Sequence, residues 1–178
     1  MFAVAAMFFF LYSDEVGGHK NAIKKWLEAA KIDPIFRRKF VFLVYFMIVL
    51  FRTLFNRDMW SNPLSNIVGE WSFIDENGNY VAEIPENIIM FIPFMFLILN
   101  ITHYGFKKKI DAFKLVVKSL RYSFIFSLCI ECCQLFFRLG TFQLSDLFFN
   151  TIGGLIGGMC FWVIKRVDYY LKNRKVNI

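Results

Sequence analysis

The sequence predicts an all-α membrane protein, a polytopic bundle of four spanning helices preceded by a short N-terminal apolar segment. Hydrophobic residues make up 57% of the 178 residues and include 24 Phe, which is more apolar surface than a soluble domain of this length can bury. The apolar residues are also gathered into runs of membrane-spanning length. This composition excludes a soluble globular enzyme, and its high hydrophobicity excludes intrinsic disorder.

Four apolar runs are candidates for spanning helices, which need about 17 to 25 residues each. They are residues 40–55, 87–104, 115–137 and 147–164, of which the first is the shortest. A fifth run, residues 1–12, would extend only about 18 Å as a helix, against a hydrocarbon core of about 30 Å. We expect this N-terminal segment to insert partway or to lie in the interface.

Basic residues predict the orientation, because Lys and Arg near spanning helices collect on the cytoplasmic side. Seven cations lie in residues 20–39, six in residues 107–121 and five in residues 165–175. The connection 56–86 is instead acidic. Four spans in the cell membrane then place the C-terminus in the cytoplasm and the loops 56–86 and 138–146 outside.

The chain divides into three parts, residues 1–39, a transmembrane domain of residues 40–165, and a basic tail of residues 166–178. Residues 20–39 are predicted to form a basic amphipathic helix with Trp26 on its apolar face. Such a helix binds anionic lipid headgroups, or it docks a partner protein. The net charge of +7 is therefore expected to favour binding to anionic membrane lipids, and no nucleic-acid partner is expected.

The third span carries polar side chains that are costly in a membrane. Glu131 is followed by Gln134 at i+3 and Arg138 at i+7, so an acid, an amide and a cation share one stripe of this helix. A charge at the bilayer centre costs at least about 2.5 kcal/mol on insertion scales. This stripe must face protein or water.

The fourth span opens with Asp146 and then carries Asn150 one turn later. Asp146 is either a helix N-cap or part of a polar site. Asn150 is explained by a site or by an interhelical hydrogen bond. Asn87, at the outer entrance of the second span, fits the same layer, and Pro93 should kink that helix and free a carbonyl group.

Small residues in the fourth span predict close helix packing, because glycine lets two backbones approach in lipid. They form two overlapping GxxxG pairs, which are Gly153, Gly154, Gly157 and Gly158.

The remaining candidate ligands predict neither a metal site nor a cofactor. The four cysteines lie in apolar helices, and His19 and His103 lie near the cytoplasmic side, so no four-ligand zinc set is available. Phosphate-binding and dinucleotide fingerprints are absent from the sequence. Any catalysis would depend on carboxylates and amides.

Three motifs in chain order resemble the VanZ-like family of small bacterial membrane proteins. Residues 86–94 read ENIIMFIPF, residues 131–134 read ECCQ, and the stretch from Arg138 to Gly157 contains SD followed by NTIGGLIG. Asn62 and Pro63, with Arg57 before them, are similar to an early family element. The resemblance implies a role in low-level resistance to the glycopeptide teicoplanin. It also implies that the positions matching the family motifs are important for function. These are Asn87, Pro93, Glu131, Gln134, Asp146, Asn150 and Gly153.

Three hypotheses follow for the polar residues. In the first, an outward-facing pocket binds the head of an envelope lipid, a lipid-linked cell-wall precursor or a lipoglycopeptide; its residues are Asn87, Glu131, Gln134, Arg138, Asp146 and Asn150. There Arg138, with Arg52 and Arg57, would hold an anionic group. In the second, a membrane enzyme uses Glu131 as general base and Asp146 as a second acid or metal ligand on a lipid-linked substrate at the outer leaflet. In the third, Glu131, Arg138 and Asp146 pair only to hold the helices together.

Overall fold

The computed structural model describes residues 11–55, 59, 61–75, 77–103 and 110–176. The chain divides into two compact units, Met1–Val41 and Phe42–Ile178. Most of the N-terminal apolar segment, as well as Arg57, lies outside the described residues.

In the first unit, α1 (His19–Ile32) begins after Gly18, and it ends where Asp33 adopts an extended conformation before Pro34. The side chain of Asp33 accepts a hydrogen bond from the Ile35 N–H at 2.7 Å and so starts the next helix. The single helix expected over residues 20–39 is therefore wrong, because a residue before proline is disfavoured in the α conformation. The apolar face is still present on α1, where Trp26 and Leu27 are exposed.

The next helix, α2 (Pro34–Leu50), continues into a π-helical turn (Phe51–Phe55). Three longer helices follow, α3 (Glu83–Thr102), α4 (Ala112–Phe137) and α5 (Leu144–Val176). The described part of the chain contains no named strand, only an isolated bridge between Ile74 and Tyr80. The all-helical class predicted from the sequence is confirmed.

Among the residues that the structure describes, three helices are long and apolar enough to cross a membrane, within Glu83–Thr102, Ala112–Phe137 and Leu144–Arg174. Large apolar side chains on their outer surfaces, such as Ile89 and Met159, are exposed, as a bilayer requires. These features fit a membrane protein. The helix α2 has 17 residues and does not belong to this group, so the fourth span stays a prediction.

Two apolar clusters form the core among the described residues of the second unit. In the first, Phe94 stacks on Phe126 with ring centroids 4.3 Å apart, and Phe46 of α2 lies 5.6 Å from the same Phe126 ring. In the second, Leu115 of α4 packs with Phe161 of α5. The helix α5 extends beyond the span predicted over 147–164, because residues 165–176 contain neither glycine nor proline and Lys172 pairs with Asp168 at i,i+4.

Candidate functional site

A stripe of small and polar residues sets the register between α4 and α5. Asn150 donates its Nδ2–H to Ser127 Oγ at 2.9 Å. A Cβ on Gly154 would overlap Ser123, and a Cβ on Gly158 would overlap Ser119. These contacts advance four residues along each helix in opposite directions, so the helices are antiparallel. The next step brings Glu131 level with Asp146.

The helix α3 packs beside α4 and α5 at the level of Glu131 and Asp146. Its Asn87 donates its Nδ2–H to Asp146 Oδ1 at 2.8 Å. The approach is close because a Cβ on Gly153 would lie 2.9 Å from the Ile88 Cα. Gly157 meets α3 in the same way one turn further in, at Ile92.

Asp146 is not the N-cap of α5, because that helix begins two residues earlier at Leu144. Its carboxylate lies within the first turn, 8% exposed, where the helix dipole also favours a negative charge. The capping interpretation is therefore wrong, and Asp146 faces the Asn87 amide instead.

Glu131 is buried, with 1% of its surface exposed. Its Oε2 accepts a hydrogen bond of 2.9 Å from the backbone N–H of Gln143. Gln143 comes into reach because the chain reverses after α4, where Arg138 has φ 57° and Leu139 donates back to the Gln134 carbonyl at 2.9 Å. The sequence gives no signal for this contact, since it uses a main-chain donor from a loop.

Gln134 links α4 to the end of α2. Its Nε2–H donates to the Thr53 carbonyl at 2.9 Å. Thr53 lies in the π-helical turn, which ends two residues later at Phe55, and carbonyl groups at a helix end lack an intrahelical donor. Gln134 therefore satisfies a main-chain acceptor inside the bundle.

We call Asn87, Glu131, Gln134, Asp146 and Asn150 the polar layer. All of them except the half-buried Asn87 are buried. Two of the amide oxygens, Gln134 Oε1 and Asn150 Oδ1, are buried without a hydrogen-bond partner in the described part of the chain. Such atoms are uncommon in folded proteins and call for an explanation.

The arginines expected to hold an anionic group are not brought into the polar layer by the described structure. Arg138 is exposed at the C-cap of α4. Arg52 forms an ion pair with Glu86, and both side chains are half exposed. Arg57 lies outside the described residues.

Pro93 lies inside α3, where its ring removes one main-chain donor from the helix. In a regular helix, an N–H at position 93 would donate to the carbonyl of residue 89. The next carbonyl along the chain, that of Met90, accepts a hydrogen bond of 2.9 Å from the Tyr45 hydroxyl. This contact connects α2 to the proline turn of α3.

Two connections close the polar layer from the side predicted to be external. The backbone N–H groups of Phe142, Leu144 and Ser145 donate to the carbonyls of Pro63, Ile67 and Val68, at 2.9, 2.8 and 3.3 Å. Next to this pairing, the Trp71 ring lies 5.3 Å from the Phe148 ring. The Asn-Pro element at residues 62–63 therefore lies against the loop that supplies Gln143.

Metal-ligating side chains do not cluster among the residues that the structure describes. The cysteines are free, and Cys129, Cys132 and Cys160 are exposed on the helix surfaces.

Apolar helices of spanning length with carboxylates and amides buried between them fit a membrane protein. The chain belongs to the VanZ/LLP1 family, whose sequence profile matches residues 1–165. It is similar to Protein VanZ of Enterococcus faecium, with 37% identity over 81 residues, which are 45% of this chain and 44% of that protein. The match therefore spans less than half the length of this relative. No solved structure matches the chain.

Proposed function

We propose that the chain crosses the cell membrane four times, with the C-terminus in the cytoplasm and the loops 56–86 and 138–146 outside. The fourth span is α2 together with the π-helical turn, which adds 5 residues to its 17. Its packing supports this, since Val49 belongs to a buried cluster with Phe91 and Phe94 of α3. The separation of basic and acidic connections supports the orientation.

The polar layer is proposed to bind the head of an envelope lipid, a lipid-linked cell-wall precursor or a lipoglycopeptide. We propose low-level teicoplanin resistance as the outcome of this binding, and the similarity to Protein VanZ supports the proposal. One observation carries the proposal: three apolar helices bring Glu131, Asp146 and Asn87 to one level, at which both carboxylates are buried. Ionisable groups in spanning helices are expensive, and they commonly mark functional sites.

A membrane enzyme is the second candidate, because the α4–α5 register brings two carboxylates to the same level. Glu131 would act as general base, and Asp146 would act as a second acid or metal ligand on a lipid-linked substrate. A purely structural role, in which the polar groups only hold the helices together, is the remaining alternative.

Antibiotic susceptibility tests the proposal directly. A sensitive Gram-positive host would express the wild type, Glu131→Gln or Asp146→Asn, with Ile89→Ala as a lipid-facing control and membrane abundance measured by immunoblot. We expect the wild type and the control to raise the inhibitory concentration of teicoplanin but not of vancomycin, and the two layer variants to lose this effect at equal abundance. Protection by both layer variants would refute a functional polar layer.

Cysteine labelling tests the orientation. In a background without the native cysteines, Ser72→Cys and Lys172→Cys each offer one exposed thiol. A membrane-impermeant maleimide added to intact cells should label position 72 and not position 172. The opposite result would invert the proposed orientation.

A further inference from the structure

The hydrogen-bonding capacity left open in the polar layer indicates which chemical group it binds. This inference rests on the proposed function, since it specifies the ligand of the same site. Gln134 is the firmest case, because the Thr53 carbonyl can only accept a hydrogen bond. The Gln134 amide must therefore face Thr53 with its NH₂ group, and its Oε1 is the atom left without a partner.

Asn150 repeats this arrangement from the opposite helix. Its Nδ2–H donates to Ser127 Oγ, and its Oδ1 has no hydrogen-bond partner in the described part of the chain. The exposed fractions of Gln134 and Asn150 are 2% and 3%. An acceptor buried without a donor costs free energy, so both oxygens favour a bound group that offers N–H or O–H donors.

The charges of this level also disfavour a bound anion. By the α4–α5 register, the level of Glu131 and Asp146 lies between the level of Asn150 and that of Gln134. Arg138 is exposed, and Arg52 is engaged by Glu86. A phosphate placed beside two carboxylates and two carbonyl-type oxygens would be repelled by all four groups.

We propose that the polar layer binds the hydrogen-bond donors of a lipid headgroup, its hydroxyl or ammonium hydrogens, and not its phosphate. The phosphate would then remain at the membrane surface, where it is hydrated. Hydroxyl and ammonium groups share this donor chemistry, and lipids that differ only in these donors tell the two sources apart.

The test uses the full-length protein purified in detergent and measures lipid binding by native mass spectrometry. One lipid pair is phosphatidylethanolamine and phosphatidylcholine, whose zwitterionic heads differ in N–H donors. The other pair is phosphatidylglycerol and phosphatidylmethanol, whose anionic heads differ in O–H donors. We expect the donor-bearing lipid to be preferred at least about threefold in one pair, from the energies of single hydrogen bonds in membranes. The pair that shows the preference identifies the source.

Matched variants assign the preference to the layer. Asn150→Leu keeps the approximate side-chain volume but removes the acceptor, whereas Asn150→Asp keeps an acceptor that the Ser127 hydroxyl can also donate to. We expect the donor preference to be lost in Asn150→Leu and retained in Asn150→Asp. Gln134→Met is the second variant that removes an acceptor, and it should also abolish the preference. Helix content measured by circular dichroism controls for folding.

Equal affinities within both lipid pairs would overturn the inference and indicate that water satisfies these oxygens. Retention of the preference in both Asn150→Leu and Gln134→Met would overturn it too. Glu131→Gln separates this failure from failure of the proposed function. If lipid binding depends on Glu131 without any donor preference, only the inference fails, whereas binding that is indifferent to Glu131→Gln contradicts the proposed function itself.

Discussion

Asn87 and Asp146 are 59 residues apart in the chain, yet the Asn87 amide donates a hydrogen bond of 2.8 Å to the Asp146 carboxylate. This bond joins α3 to the first turn of α5 at the level of Glu131. It gives the buried carboxylate a neutral donor inside the bundle. A buried charge retains its position only when such donors accompany it.

Asn87→Leu should destabilise the protein by about 1 to 3 kcal/mol, because Asp146 then loses a donor while remaining buried. The measurement is the midpoint of unfolding in mixed micelles of dodecyl maltoside and increasing SDS. Ile89→Ala on the exposed side of the same helix should shift the midpoint much less. Equal shifts for the two variants would show that the Asn87 bond contributes nothing to stability.

The glycines of α5 should differ in whether a second mutation can rescue them. A Cβ at Gly157 would overlap the main-chain carbonyl of Ile92, whereas a Cβ at Gly154 would overlap the Ser123 side chain. Overpacking costs about 1 to 3 kcal/mol or more. We expect both Gly157→Ala and Gly154→Ala to lower the unfolding midpoint.

Ser123→Gly should restore most of the stability lost in Gly154→Ala, because it removes the overlapping atoms. It should not restore Gly157→Ala, whose obstacle is backbone. A double-mutant cycle measures this coupling. Simple additivity for Gly154→Ala and Ser123→Gly would mean that α4 and α5 do not approach each other at this register.

The helices and much of the polar layer could be predicted from the sequence. Apolar runs located α3, α4 and α5, and the cost of charge in lipid singled out Glu131, whereas Asp146 was left open between a helix N-cap and a polar site. Residue type and position within one span carry this information. The α4–α5 register was not predicted, although Ser119, Ser123 and Ser127 repeat every four residues and are the signal that could have indicated it.

Other features depend on contacts between distant parts of the chain. The bond from the Gln143 N–H to Glu131 requires a left-handed residue at Arg138, and a main-chain donor has no residue signature. The spacing of seven residues predicts that Arg138 lies on the same helix face as Glu131. The helix ends at Arg138, however, and the Arg138 side chain is exposed. The spacing of polar residues along a helix does not indicate where the helix ends.

Asp75 should make the turn at residues 75–79 sensitive to acid. Hydrogen bonds from the backbone and side chain of Asn79 to its carboxylate lower the pKa of Asp75 below its ordinary value of 3.8. A carboxylate with a depressed pKa in the folded state stabilises the turn above the unfolded pKa, and this contribution is lost as the pH falls through the folded value. The turn should therefore be intact at pH 5 and loosen only below 3.8.

The amide chemical shifts of Asn77 and Asn79, both of which donate to Asp75 Oδ1 at 2.8 Å, should titrate together with a midpoint below 3.8. Nuclear magnetic resonance of the isotopically labelled protein measures them. Asp75→Asn should remove this titration. A midpoint at or above 3.8 would contradict the role of these hydrogen bonds.

Gly69 should be needed to keep the connection before α3 paired with the connection between α4 and α5. It has φ 73°, which costs an alanine about 1 to 2 kcal/mol, and a Cβ there would also lie 2.9 Å from the Ser145 Cβ and overlap its hydroxyl. Gly78 is the matched control, since it has φ 83° and nothing within 4 Å of an added Cβ. Both alanine variants would have the strain of a left-handed conformation, but only Gly69→Ala would also have a steric clash. The difference between the two variants therefore measures the clash.

Hydrogen exchange read by mass spectrometry follows the peptide that contains Leu144 and Ser145, whose N–H groups bond to the carbonyls of Ile67 and Val68. We expect Gly69→Ala to accelerate its exchange at least about tenfold, equivalent to about 1.4 kcal/mol of local opening, and Gly78→Ala to leave it unchanged. The Gln143 N–H lies beside this pairing and donates to Glu131, so its exchange should rise as well. If both variants exchanged at the wild-type rate, the pairing would not depend on the absence of a side chain at position 69, and the cover over Glu131 would have to be held by the Trp71 contacts with Phe148 and Phe149.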